Sequence, residues 1–366
     1  MGSHSLDELR KRIDALNREI LALLQNRAEV VAQIGRLKRS SGLATYDPTR
    51  EEAMVRDLLG QPGGPFGATH IRAVFDAIFR ASLDLQRRQM AESKKNRGRC
   101  VQPVTIGSTT VGGGEPVLFC GPCAVESAEQ IDEVAAFVAA LHGRVVLRGG
   151  TYKPRKRHTS FQGLREEGVA LLRDAGRRHG IPTVTEVLDR ASLEFVLGSI
   201  DMIQIGARSM YNTELLKAVG RAGVPVLLKR AFMATIDEYL AALDYIRAEG
   251  NDQVVLCERG IRSFDYRTRN TLDIAAVPLL QSESGVPVIV DVSHAVGRTD
   301  LIAPCSRAAL AVGADGLMIE VHPNPSAALS DSAQQIDLDA FEELLAELGL
   351  APTSGAPGKP LEVMDA

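Results

Sequence analysis

Val117-Leu-Phe-Cys-Gly-Pro-Cys-Ala-Val125 is an apolar run followed at once by an amphipathic stretch, Ala128–Leu141. The same alternation repeats down the chain. Further apolar runs lie at Val145–Gly149, Ile181–Val187, Met202–Ala207, Pro225–Arg230, Val254–Gly260, Pro287–His294 and Gly316–His322. Segments such as Gly163–His179, Arg190–Gly198 and Ile236–Glu249 fall between them. Short runs this apolar, spaced by amphipathic segments, read as parallel strands buried on both faces and joined by helices. Eight such units predict an α/β fold of TIM type, a (β/α)8 barrel, rather than an open sheet. An open doubly wound sheet would usually offer a Gly-rich dinucleotide turn after its first strand, and none is present. Val104–Ile106 with Thr109–Val111 reads as a hairpin ahead of the barrel.

Outward from the barrel the composition changes near residue 90. Before it lie helix formers with few β-branched runs. Leu6, Leu9, Ile13, Leu16, Ile20, Leu23, Arg27, Val30, Ile34 and Leu37 alternate spacings of three and four, one stripe on a single long helix. Ser41-Gly42 ends it, Asp47-Pro48 opens a second helix to about Leu59, and a third runs from about Thr69 to Gln89. The expected organisation is an all-helical domain over 1–90, a basic linker over 91–99, the barrel over 100–350 and a disordered tail over 351–366. The chain has 366 residues, 42 Lys+Arg against 46 Asp+Glu and 45% apolar residues. That balance argues against a nucleic-acid partner and against global disorder. No run is long enough to span a membrane, the start has no signal-peptide core, and five cysteines fit a reducing cytoplasm.

In a barrel of this kind the C-terminal strand ends form the active face. Read in order they deliver Cys123, Arg148, Glu186, Arg208, Lys229 with Arg230, Glu258 with Arg259, Asp291 with His294, and Glu320 with His322. Arg148, Lys153, Arg155, Arg208, Lys229 and Arg259 form a cationic group. In a chain of net charge −4 such a concentration implies an anionic substrate with more than one phosphate or carboxylate. Cys123, His294, Glu320 and Asp331 form a thiol, imidazole and carboxylate set. It suits a borderline divalent ion such as Mn, Fe, Co or Zn better than Ca. Each member alone has a bland explanation, since a Cys is commonly just buried. Cys120-Gly-Pro-Cys123 has the spelling of a redox motif but lacks the thioredoxin-like context.

Arg27 is the one charge in the helical stripe, and burying it unpaired would be costly. It either pairs with a carboxylate such as Glu51 or belongs to a cationic pocket between helices for a small dianion. Ser82 and Gln86, four apart, share a face of the third helix.

Residues 5–90 resemble the all-helical chorismate mutases, whose site pattern falls on Arg10, Arg27, Lys38, Asp47, Arg50, Glu51, Ser82 and Gln86. The resemblance implies that Arg10, Arg27, Lys38 and Arg50 hold the carboxylates and ether oxygen of chorismate. Glu51 and Gln86 complete the pocket, and the residue matching Arg10 reaches in from a partner chain. Residues 100–350 resemble the short bacterial 3-deoxy-D-arabino-heptulosonate 7-phosphate (DAHP) synthases. The motifs that carry this are Gly121-Pro-Cys-Ala-Val-Glu-Ser127, Arg148-Gly-Gly-Thr-Tyr-Lys-Pro-Arg155, Phe161-Gln-Gly163, Gln204-Ile-Gly-Ala-Arg208, Leu228-Lys-Arg230, Glu258-Arg-Gly-Ile-Arg262, Thr268-Arg-Asn-Thr-Leu272, Val292-Ser-His-Ala295 and Glu320-Val-His-Pro323. The resemblance assigns Cys123, His294, Glu320 and Asp331 to one divalent metal per barrel, Mn2+ first, with Co2+, Fe2+ or Zn2+ as alternatives. It assigns Arg148, Lys153, Arg208, Lys229, Arg259 and the Gly206–Ala207 backbone to phosphoenolpyruvate, and Arg155 to erythrose 4-phosphate. Glu186 joins the substrate-binding set from its strand end. One departure stands out: the family continues Lys-Pro-Arg with Thr-Ser, whereas here Lys156-Arg157-His158 intervene before Thr159-Ser160.

The implied reading is a fused enzyme. Its barrel condenses phosphoenolpyruvate with erythrose 4-phosphate and releases phosphate, with Lys153 as candidate proton donor. Its helical unit converts chorismate to prephenate, and the fusion suggests feedback by chorismate or prephenate. A homo-oligomer, dimer or tetramer, and a cytoplasmic location are expected. Two alternatives are a barrel acting on arabinose 5-phosphate and a helical unit that serves only regulation or dimerisation.

Overall fold

The computed structural model describes residues 5–40, 48–60, 64–95, 101–141, 144–154 and 159–351. The chain divides into two units, Met1–Arg99 and Cys100–Ala366. The first is helical: α1 (Leu6–Ser40), α2 (Pro48–Leu59) and α3 (Ala68–Lys95). Ser5 opens α1 with a reciprocal cap, its Oγ accepting the Glu8 amide at 3.3 Å while the Glu8 carboxylate accepts the Ser5 amide at 2.9 Å. The expected single long helix is present. Its stripe residues Leu6, Leu9, Ile13, Leu16, Ile20, Leu23 and Val30 are exposed within the unit. Helix α3 runs past the expected end, so Ala91–Lys95 of the stretch read as a linker is helical. That stretch, Ala91-Glu-Ser-Lys-Lys95, holds three kinds of strong helix former and no Gly or Pro to stop it. Residues 96–99 of that stretch and the tail from 352 lie outside the described residues.

The second unit opens with a hairpin, β1 (Val104–Ile106) and β2 (Thr109–Val111), paired antiparallel. Eight parallel strands then close a barrel: β3 (Val117–Gly121), β4 (Val145–Arg148), β5 (Thr183–Val187), β6 (Met202–Ile205), β7 (Val226–Lys229), β8 (Val254–Glu258), β9 (Val288–Asp291) and β10 (Gly316–Glu320). Strand β10 pairs with β3 from Gly316 opposite Val117 to Glu320 opposite Gly121, so no barrel strand is left with a free edge.

Each strand is buried on both faces, which is why the sequence shows apolar runs in place of alternation. Phe119, Val146, Val184, Met202, Leu227, Val255, Ile289 and Met318 fill the interior. The same cluster contains Val104, Ile106 and Val111, so the hairpin plugs the N-terminal end of the barrel. Leu118, Leu147, Ile203, Leu228, Leu256 and Val290 face the other way, into the layer shared with the helices. Full burial of one such side chain stabilises by roughly 1.5–3 kcal/mol. With the bottom plugged and the interior packed, the remaining opening is at the C-terminal strand ends. Among the described residues no helix is long and apolar enough to cross a membrane.

Candidate active site

The strand ends carry the polar side chains that the barrel cannot bury among its apolar layers. Arg148 ends β4, Lys229 ends β7, Asp291 ends β9 and Glu320 ends β10, and all four are buried. A cavity of about 330 Å³ opens above them. Among its lining residues are Arg148, Lys153, Glu186, Gly206, Ala207, Arg208, Lys229, Arg259, His294 and Asp331. The expected substrate-binding residues of the barrel therefore converge, apart from Arg155, which with Lys156–His158 lies outside the described residues.

The shape of the cavity depends on glycines where a side chain would collide. A Cβ on Gly206 would come within 1.8 Å of Glu186 Oε1. Gly121 has φ +144, and a Cβ there would lie 2.1 Å from the Arg148 carbonyl oxygen. That glycine lets the Cys123 loop leave β3 close against β4.

Four donor groups meet beside the cavity. Single ligand atoms of Cys123, His294, Glu320 and Asp331 all lie within 4.8 Å of one another. Cys123 Sγ is 3.6 Å from Asp331 Oδ2, and His294 Nε2 is 3.4 Å from Glu320 Oε1 and 3.9 Å from Asp331 Oδ2. Asp331 sits in the left-handed region at φ 51, a conformation that Asp tolerates better than most residues. One thiol, one imidazole and two carboxylates converging at this spacing fit a borderline divalent ion.

Each donor is also engaged by a neighbour. Lys153 Nζ donates to Cys123 Sγ at 3.0 Å and to the Cys123 carbonyl at 2.8 Å. Arg148 pairs with Glu320, which also accepts from Gln334. Arg269 Nη1 reaches Asp331 Oδ2 at 3.2 Å. His294 Nδ1 lies 2.8 Å from Asp291 Oδ2, and Asp291 also pairs with Lys229.

These contacts set the charge states. Burial, reinforced by Glu320, pushes the Cys123 thiol up to about 11 against the pull of Lys153. Burial would raise Glu320, but His294, Arg148 and Lys153 together hold it below the ordinary carboxylate range. Asp291 is likewise buried and yet held well below that range by His294 and Lys229. Burial lowers His294, partly offset by Asp291 and Glu320. The carboxylates are therefore ionised and available as ligands, whereas the thiol must lose a proton on binding an ion.

Several residues of the site carried no role in the sequence reading. Phe232 lines the cavity, with the guanidinium groups of Arg208, Arg259 and Arg262 at 5.4, 4.7 and 5.5 Å from its ring centre. It is an apolar platform that orders cations which would otherwise repel one another. Arg269, Gln204 and Ser160 also line it. Arg230 and Glu258 lie at strand ends but do not line the cavity. They pair with each other at 2.9 Å, and Arg230 also reaches Asp273 at 2.8 Å.

The DAHP synthetase I family matches residues 90–351. The chain belongs to that family. The phospho-2-dehydro-3-deoxyheptonate aldolase of Thermotoga maritima is 49% identical over 245 residues, 67% of this chain and 72% of that protein. Its crystal structure superposes with a TM-score of 0.65 at 48% identity, covering 68% of this chain and 72% of that one. A truncated form of the Thermotoga synthase gives a TM-score of 0.64 at 45% identity and is covered over 93% of its length, against 70% of this chain. The 2-dehydro-3-deoxyphosphooctonate aldolase of Syntrophotalea carbinolica is 32% identical over 263 residues, 66% of this chain and 93% of that protein. Chorismate mutase type II matches residues 9–87. A chorismate mutase domain and a DAHP synthase domain are thus joined in one chain.

Within the mutase domain, Arg27 Nη1 donates to Ser82 Oγ, and its guanidinium lies 5.6 Å from the Phe79 ring centre. Ser82 Oγ in turn donates to the Ile78 carbonyl at 2.7 Å. The stripe's one charge thus bridges α1 and α3 through a hydroxyl. Arg10 is exposed and pairs with Asp7 at 3.5 Å, and Arg50 is exposed on α2. Asp47 and the side chains of Lys38, Glu51 and Gln86 lie outside the described residues.

Proposed function

We propose that the barrel condenses phosphoenolpyruvate with erythrose 4-phosphate and water to DAHP and phosphate. The observation that carries this is the meeting of the two groups: four donors within 4.8 Å of one another, beside a cavity walled by Arg148, Lys153, Arg208, Lys229 and Arg259. The five cations hold the phosphate and carboxylate of phosphoenolpyruvate, with the Gly206–Ala207 backbone against the phosphate. Holding both reactants in one geometry removes an entropic cost and neutralises charge as it develops. Arg155 takes the phosphate of erythrose 4-phosphate. Cys123, His294, Glu320 and Asp331 hold one divalent ion, Mn2+ in our reading, which when bound polarises the aldehyde as a Lewis acid. As the new carbon–carbon bond forms, Lys153 gives a proton to the aldehyde oxygen, which becomes a hydroxyl. Water adds at C2 of phosphoenolpyruvate as phosphate leaves.

In the helical domain, Arg10, Arg27, Lys38 and Arg50 hold the carboxylates and ether oxygen of chorismate, with Asp47, Glu51, Ser82 and Gln86 completing the pocket. That rearrangement needs no nucleophile, only a cationic pocket favouring the compact, polarised transition state. The exposed apolar stripe of α1 supports pairing with a second copy of the chain, and the chain works in the cytoplasm.

The arabinose 5-phosphate reading shares this barrel chemistry. The 49% identity to the heptonate enzyme against 32% to the octonate enzyme favours erythrose 4-phosphate. An assay offering each aldehyde in turn decides. Faster product formation from arabinose 5-phosphate would overturn the assignment.

A further inference from the structure

Asp291 ends β9 and is wholly buried. Its Oδ1 accepts the His294 backbone amide at 3.0 Å. Its Oδ2 pairs with Lys229 Nζ and lies 2.8 Å from His294 Nδ1. One oxygen therefore faces both a cation of the anion-binding wall and a ring whose other nitrogen, Nε2, points at Glu320 and Asp331. Strands β7 and β9 are not neighbours, because β8 lies between them. No ladder of backbone hydrogen bonds links Lys229 to His294 directly, and the Asp291 side chain crosses that gap.

Resting on the function proposed above, we infer that Asp291 is a positioning residue shared by the metal set and the phosphoenolpyruvate site, so that each sets the other's geometry through Oδ2. With the Asp291 carboxylate against Nδ1, the tautomer carrying its proton there is favoured and Nε2 is left facing the other donors. The same oxygen limits how far the Lys229 ammonium can turn toward an anion. When Nε2 is engaged, the ring becomes more positive and attracts the adjacent Oδ2 more strongly. Lys229 is then held less tightly and its charge turns to the anion. The Asp291–x–x–His294 spacing puts both contacts within one turn, the sequence signal for this arrangement.

The test is a double-mutant cycle on the full chain, stripped of metal and titrated with Mn2+ by calorimetry, without substrate. Asp291→Asn should lower Mn2+ affinity about 10–100-fold. Lys229→Met, which leaves all four donors in place, should change Mn2+ affinity at least about fivefold alone and less than about twofold in the D291N background. Equal effects of Lys229→Met in both backgrounds would mean that its charge acts through space, and would overturn the inference. So would a D291N protein that binds Mn2+ within twofold of the parent. If D291N does not purify folded, Asp291→Ser, smaller and with room for a water, runs the same cycle. A parent protein that binds neither Mn2+ nor phosphoenolpyruvate would overturn the reading of the cavity itself and this inference with it.

Discussion

Replacing Lys153 by Met separates chemistry from folding. The two side chains are similar in length, so the change removes a charge and its hydrogen bonds but little volume. Lys153 is buried and makes two contacts, 2.8 Å to the Cys123 carbonyl and 3.0 Å to Cys123 Sγ. The carbonyl keeps a second partner, the Gly150 amide at 3.3 Å, so it is not orphaned. The loss in stability should be about 1.5–3 kcal/mol, the scale of a buried hydrogen bond to a charged group. At about 2–4 °C per kcal/mol for a domain of this size, the thermal midpoint should fall by about 3–12 °C. Loss of a general acid costs about 10²–10⁴-fold in rate, or about 3–5 kcal/mol of transition-state stabilisation. Turnover should therefore collapse while the fold persists. The assay follows loss of the ultraviolet absorbance of phosphoenolpyruvate in the presence of erythrose 4-phosphate, at saturating Mn2+. Metal content is measured in parallel because Lys153 touches a donor. A K153M enzyme with normal metal content and kcat within a few-fold of the parent would refute the proton-donor role.

Three further outcomes are expected. Gly206→Ala drives Glu186 out of its place, since the new methyl would sit 1.8 Å from Oε1; the KM for phosphoenolpyruvate should rise at least about tenfold, the scale of one displaced polar contact. Arg27→Ala removes the cation that joins α1 to Ser82, and chorismate consumption by the full chain should fall at least about 10²-fold, as expected for losing one electrostatic stabiliser; unchanged consumption would favour a purely structural role for the helical unit. The fusion of the two domains suggests feedback, so prephenate should inhibit DAHP formation by the full chain, which requires it to bind two states of the protein with different affinity. Tight prephenate binding with no change in synthase rate would end the feedback proposal.

The barrel was legible because all eight strands are buried on both faces. The resulting runs, such as Val145–Leu147 and Val226–Leu228, are too short for helices and too apolar for half-exposed strands. The donors Cys123, His294 and Glu320 were legible for a related reason: an ionisable side chain at the end of an apolar run falls at the mouth of a barrel. Asp331 was harder. It lies in a loop beyond β10, in a left-handed conformation, and spacing alone does not bring it back to Cys123. Arg269 stands in the Thr268–Leu272 motif without a role, because the stretch after β8 has no periodicity to show that it folds back to meet Asp331, 62 residues on. Phe232 looked like an ordinary apolar residue; that three guanidinium groups surround it depends on loops from three different strands. The extra turn of α3 reflects helix propensity overriding a run of charges that resembled a linker.

Cys123, His294, Glu320 and Asp331, from separate strand ends and loops, are proposed to hold one divalent ion that the synthase reaction needs. The most direct test is metal analysis of the full chain before and after chelation, with DAHP formation measured at each stage. About one ion per barrel is expected, with synthase activity lost along with the ion and recovered on adding Mn2+. Full activity in protein shown to be free of metal would contradict this assignment.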